Sequence, residues 1–190
     1  MKKIVALSAL SLAVLSVSAH AAPETYQIDP THTFPNFQIS HLGFSVQQGR
    51  FDKTAGTIVI DRAKGAGSIN VTIETTSIDT GLPKLEEHLR GADFFNVEKF
   101  PTMTFKADKL KFNGEQLVSA DGNLTLLGVT RPVTLTVDGF HCGTNPLNKK
   151  AACGASVSTT IKRSEFGMST YVPAVGDEVK ITIPVEAYLQ

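Results

Sequence analysis

Beyond residue 21 the chain carries four histidines, His32, His41, His88 and His141, and two cysteines, Cys142 and Cys153. Imidazole titrates near neutral pH and ligates transition metals, so His32, His41 and His88 gathered with Glu87 or Asp93 would make an acid–base or metal site. That grouping defines one reading of the chain, a hydrolase or metal-dependent enzyme acting on an apolar substrate. The spacing argues against it. There is no HExxH or HxH, and the three histidines fall in separate elements. The plainer reading has His32 and His41 satisfying backbone carbonyls where the first strands bend, and His88 tying a helix down through a polar partner such as Asp93. Catalytic residues, metal and cofactor are therefore expected to be absent.

The cysteines flank the loop GTNPLNKKAA. Their spacing is not CxxC, and only His141 stands nearby as an added ligand, which weakens a redox pair or a metal site. In an oxidising compartment they read as a Cys142–Cys153 disulfide, worth roughly 3 kcal/mol for a loop of this size.

The stretch most able to position a site is LPKLEEHLRGADFFNVEKFP, residues 82–101. Leu82, Leu85 and Leu89 recur at helical spacing, Pro83 suits a first turn, Glu86 and Glu87 lie near the positive end, and Gly91 can close the helix. A short helix near residues 83–90 is expected, with Glu86 and Arg90 paired four apart on its wet face. Phe94, Phe95 and Phe100 follow in a turn-rich segment that needs an apolar surface to lie on. It is expected to cap one end of a barrel.

Elsewhere the pattern is period two. Ile69, Val71 and Ile73 alternate with polar neighbours, as do Met103 and Phe105, Val133, Leu135 and Val137, Val157 and Ile161, and Val179, Ile181, Ile183 and Val185. Turn signals stand at Lys64 to Gly67, Asn113-Gly114, Asp121-Gly122, Asp138-Gly139 and Gly176-Asp177. With Tyr26 to Ile28, Phe37 to Ile39, Gly49 to Ile60 and Leu117 to Leu127, about eight or nine strands are expected. Pro184 marks an edge or a bulge in the last of them. The class is all-β, either a sandwich or a closed barrel, and periodicity does not choose between them. A membrane barrel would carry aromatic girdles. Here there is no Trp, three Tyr, and eleven Phe mostly at inward or capping positions.

Lys2 and Lys3, the apolar run Ile4 to Val17 and Ala19-His20-Ala21 have the form of a cleaved signal peptide. The expected division is 1–21 signal peptide and 22–190 a single domain, exported to the periplasm. The full chain balances 18 basic against 18 acidic residues, so nothing attracts a polyanion, and nucleic acid is not an expected partner. The apolar run is too short for a membrane span.

Five segments in order carry a resemblance: YQIDPTHT (26–33), SHLGFS with GRF (40–45 and 49–51), HLRGADFFN with Phe100-Pro101, GNLTLLGVTRP (122–132), and FGM with VGDEV (166–168 and 175–179). Together the chain resembles the YceI-like family of exported lipid-binding proteins. The resemblance implies an extended, eight-stranded antiparallel lipocalin-like barrel with the helix at its side or mouth. It further implies an apolar tunnel for a polyisoprenoid or similar long-chain amphiphile, a mostly periplasmic or secreted location, and a homodimer as an assembly the family often adopts. Glu86 and Glu87 stand where the family often has an Arg-Asp pair, which weakens an anion-binding role for that turn. The cysteine pair is not general to the family.

The expected function is thus a periplasmic carrier of a long isoprenoid or acyl lipid, an isoprenoid quinone or prenyl lipid foremost. The expected lining is Phe37 and Ile39; Ile69, Val71 and Ile73; Met103 and Phe105; Leu124 and Leu126; and Val133, Leu135 and Val137. Leu85, Leu89, Phe94 and Phe95 close it, and Lys84 and Arg90 are head-group candidates at the mouth.

Overall fold

The structure, a computed structural model, describes residues 22–190. The expected signal peptide, residues 1–21, lies outside the described residues. Among the described residues there are eleven strands, β1 (Glu24–Ile28), β2 (Asn36–His41), β3 (Ser45–Phe51), β4 (Thr54–Asp61), β5 (Ala66–Glu74), β6 (Ile78–Asp79), β7 (Thr102–Asn113), β8 (Gln116–Leu126), β9 (Val129–Thr144), β10 (Ala151–Lys162) and β11 (Val175–Leu189), one α-helix, α1 (Pro83–Arg90), and two short 3-10 helices at Thr75–Ser77 and Arg163–Phe166. All pairings are antiparallel and belong to one sheet, in the order β1-β4-β5-β7-β8-β9-β10-β11, with β11 returning to β1. Those eight strands close a barrel, so of the two all-β options the closed one is realised.

Closure is confined to one end. The last residues of β11 pair with β1, Ala187 with Ile28 through Leu189 with Tyr26. Its first half pairs instead with β2, Thr182 with Asn36 through Val175 with His41, and β3 and β6 follow outward from β2. The barrel is therefore sealed at one end and split at the other. Residues 29–35 bridge the change of partner. Thr33 Oγ1 donates to the Glu186 carbonyl at 3.0 Å and accepts from the Glu186 N–H at 3.0 Å, while the Asp29 N–H reaches the same carbonyl at 2.9 Å. Both main-chain groups of Glu186 face the gap, so two residues earlier Pro184 turns its nitrogen to the same side, where β2 has ended and β1 has not begun. A residue without an N–H loses nothing there.

Each barrel strand turns its apolar row inward because only that face escapes water. Several turn signals do not end strands. Asp121-Gly122 lies inside β8, and Asp138-Gly139 inside β9, where Gly139 at φ +64° supplies a bulge as β9 and β10 slip register. Gly176-Asp177 likewise lies within β11, at a register shift against β2. The Gly49 to Ile60 stretch is two strands, not one. Asp52 and Lys53 break the alternation, Phe51 and Thr54 are both buried on either side of them, and the chain passes from the β2 side of the sheet to β1. The two-residue β6, paired with Arg50 and Phe51, carries no period that sequence could show.

The disulfide joins Cys142 and Cys153, directly opposed on β9 and β10 near the sealed end. Helix α1 starts after extended Leu82 with Pro83 in its first turn. Gly91 follows with an extended backbone (φ −67°) rather than the left-handed cap that its type suggests.

Candidate functional site

Inside the barrel is a cavity of about 620 Å³, within the roughly 300–1,000 Å³ usual for small-molecule sites. All sixteen lining residues expected from sequence stand on its wall, from Phe37 and Ile39 on β2 to Val133, Leu135 and Val137 on β9, with Leu85, Leu89, Phe94 and Phe95 at the helix end. Four further barrel strands were missed as walls. Tyr26 and Ile28 of β1 and Ile58 and Ile60 of β4 line it, and so do Val157 and Ile161 of β10 and Ile181, Ile183 and Val185 of β11, where the same alternation was visible. A ring of eight strands makes every inward row a wall.

The two ends differ. At the sealed end Ile60, Ala120 and Ala187 are each at most 1% exposed, and Tyr26 and Phe140 pack beside them as a plug. At the split end the wall is aromatic and looser. Phe95 meets Phe51 edge-on at 5.3 Å between ring centroids, and Phe51 meets Phe37 at 5.9 Å. Phe37 lies opposite Gly49 on β3, where a Cβ would run into the ring; only glycine leaves that ring room. Phe94, His88 and Tyr171 form a second aromatic group, His88 and Phe94 at 4.9 Å. Phe100 is not part of the wall and packs instead against the Gly128 turn.

The head-group candidates require a correction. Neither Lys84 nor Arg90 lines the cavity. Arg90 donates from Nε to the Thr76 carbonyl and from Nη2 to the Ile78 carbonyl, both at 3.0 Å, and reaches Glu86 at 3.4 Å. A guanidinium near main chain is held where several of its donors find fixed carbonyls at once, so Arg90 pins the helix to the segment before it. Glu86 also accepts from the Thr80 N–H at 3.0 Å, so the Glu86–Arg90 contact is part of that anchor rather than a wet-face pair.

The histidine grouping is also corrected. Among the described residues, the only three His, Cys, Asp or Glu side chains close enough to share an ion are Asp29, His32 and Glu186. His32 is exposed and its Nδ1 lies 2.7 Å from Asp29 Oδ2, a carboxylate rather than a carbonyl. That bond and the nearby Glu186 charge raise the His32 pKa above its ordinary value. Burial pushes Asp29 up, but hydrogen bonds from His32 and Thr31 outweigh it and the net shift is down. His41 and His88 do line the cavity, but His88 is seated by ring contacts with Phe94 and Tyr171 rather than by Asp93.

One cation does reach the wall. Arg163 follows β10 and is buried. It donates to the carbonyls of Gly176 (2.8 Å), Thr170 (2.9 Å), Met168 (3.0 Å) and Val175 (3.0 Å), which folds the 163–176 segment around it. Burial lowers its pKa, with the Asp177 charge opposing. Thr54 of β4 is a further polar residue on the wall.

A closed antiparallel barrel that keeps a hydrocarbon-walled hollow, split on the side of a small helix, is the architecture of a container for an apolar molecule. The model of the YceI-like domain matches residues 26–187. Protein YceI of Salmonella arizonae is 38% identical over 190 residues, covering 100% of this chain and 98% of that one. The chain belongs to the YceI-like family. Among solved structures, BcnA of Burkholderia cenocepacia superposes with a TM-score of 0.71 at 26% identity, over 84% of this chain and 99% of that one. A polyisoprenoid binding domain from Saccharophagus degradans does so at 0.67 and 18% identity, over 87% and 98%; at that distance the likeness is one of fold.

Proposed function

We propose that this protein binds and carries a long-chain apolar amphiphile, a polyisoprenoid foremost, inside the barrel, and that it does so in the periplasm after export. The observation that carries the reading is the cavity, a single hollow walled by Val, Ile, Leu, Phe and Met from all eight barrel strands and α1. Burying hydrocarbon yields about 0.8 kcal/mol per carbon group, or roughly 3–4 kcal/mol per five-carbon unit, so a few units outweigh the ordering cost without any charged contact. The polyisoprenoid binding domain with the same fold lends support to that ligand class, and the cleavable leader expected at residues 1–21 supports the compartment. Binding rather than catalysis is the reading because His32 pairs away from the cavity and, among the described residues, His41 and His88 have no carboxylate partner on its wall.

The test is organic extraction of protein purified under mild conditions, followed by mass spectrometry. A stoichiometric long-chain lipid is the expected result, and reproducible absence of any lipid, together with failure of added prenyl lipid to bind, contradicts the reading.

A further inference from the structure

Among the described residues five polar or charged side chains are buried: Thr33, Thr54, Asp61, Thr75 and Arg163. Four are answered from within the protein. Thr33 holds both main-chain groups of Glu186, the Thr75 hydroxyl donates to the Phe100 carbonyl at 2.7 Å, Asp61 accepts from Lys64, and Arg163 has four carbonyls. The Thr54 hydroxyl alone has no partner, although the residue is 3% exposed. It opens β4 at the split end, on the same inward row as Ile58 and Ile60, and it lines the cavity. A buried hydroxyl without a partner is unfavourable, and valine, of the same shape, would fill the place without that cost.

We propose that Thr54 is a specificity-determining residue, its hydroxyl donating to a neutral oxygen acceptor, such as a carbonyl, at the head end of the chain held in the barrel. The inference rests on the cavity being a lipid site, as proposed above. It adds a direction and a chemistry: the head lies under α1 at the split end and the tail points to the plug at Ile60 and Ala120. The acceptor is neutral because the wall cannot compensate an anion. Among the described residues Arg163 is the only Lys or Arg on it, and four of its five N–H groups are already given to carbonyls. A phosphate would be stripped of water without sufficient donors in return.

The experiment compares the full mature chain with Thr54→Val, Thr54→Ala and Thr54→Ser against three probes: a geranylgeranyl-substituted benzoquinone, geranylgeranyl phosphate and squalene. The expected result is a loss of about tenfold in benzoquinone affinity for Thr54→Val and Thr54→Ala, the size of one lost hydrogen bond. Thr54→Ser restores it, and squalene binding is unchanged in Thr54→Val. Unliganded Thr54→Val melts a few degrees higher than the parent, since the unanswered hydroxyl is gone. Unaltered benzoquinone affinity in both hydroxyl-free variants, with squalene still bound, overturns the role of Thr54 while leaving the lipid site standing. A loss confined to the phosphate probe overturns the neutral head. Failure of the parent protein to bind squalene or either prenyl probe overturns both proposals at once.

Discussion

The two ends of this barrel are made from the same strands, yet they solve opposite problems. At one, β11 finds β1 and small residues such as Ala120 and Ala187 let Ile60, Tyr26 and Phe140 fill the middle. At the other, β11 takes β2 instead, the ring opens, and aromatic side chains with α1 cover the gap without filling it. The polar atoms follow the same division. Arg163, Thr54, His41 and His88 all stand at the split end, whereas the disulfide lies toward the sealed one. A hollow needs one end that is packed for stability and one that is loose enough to admit a guest, and a change of strand partner halfway along β11 provides both.

Substitutions that act on one end alone sharpen that contrast. The largest effect is expected from Arg163→Met, which leaves four carbonyls, one buried and three partly buried, without their donor and costs about 4 kcal/mol. Urea denaturation measures it, and a cost near zero would mean the 163–176 segment does not depend on the guanidinium. Next is Ile60→Ala at the plug. It should cost about 3 kcal/mol by the cavity it creates, a loss larger than its effect on the affinity for a prenyl chain whose tail ends against it. A larger change in affinity than in stability would place the guest at the wrong end. In Leu89→Ala the two effects come level, because Leu89 is only half-buried. Roughly 1 kcal/mol of stability is expected to be lost, with a several-fold weaker prenyl affinity by fluorescence titration.

Much of this was legible in sequence because period two survives wherever a strand has one wet face. Twelve of the sixteen expected wall positions follow that spacing, while the helix over 83–90 with Leu85 and Leu89 came from helical spacing and Phe94 and Phe95 from the aromatic turn after it. Lys84 and Arg90 misled because a cation on a helix beside a pocket looks like a head-group ligand, and no sequence pattern reveals that Arg90 is committed to the Thr76 and Ile78 carbonyls. Arg163 and Thr54 were missed for the converse reason. Each sits at a strand terminus, where alternation ends, and burial there depends on the distant segment that covers it. The internal glycines of β8, β9 and β11 imitated turns because bulges and hairpins draw on the same residue type.

The smallest effect concerns the seam that joins the two ends. The raised His32 pKa and lowered Asp29 pKa give a pairing that is complete only between those two values. Its contribution is lost as pH rises through the folded His32 value, and lost again as pH falls through the folded Asp29 value. NMR titration should show the His32 ring ionising above its ordinary pKa of about 6.5, moving back toward it in Asp29→Asn, where the Glu186 charge remains; an unshifted His32 in the parent would remove the pair from the seam.

The most direct measurement is an isotope-filtered NOE experiment on the uniformly labelled protein loaded with unlabelled squalene or a geranylgeranyl benzoquinone. Cross-peaks from the chain to methyl groups of Ile73, Leu89, Val133 and Ile183 are expected, all of them facing the hollow. A loaded protein whose only contacts run to outer residues such as Phe44, 90% exposed on the β2–β3 turn, would show that the guest never enters the barrel.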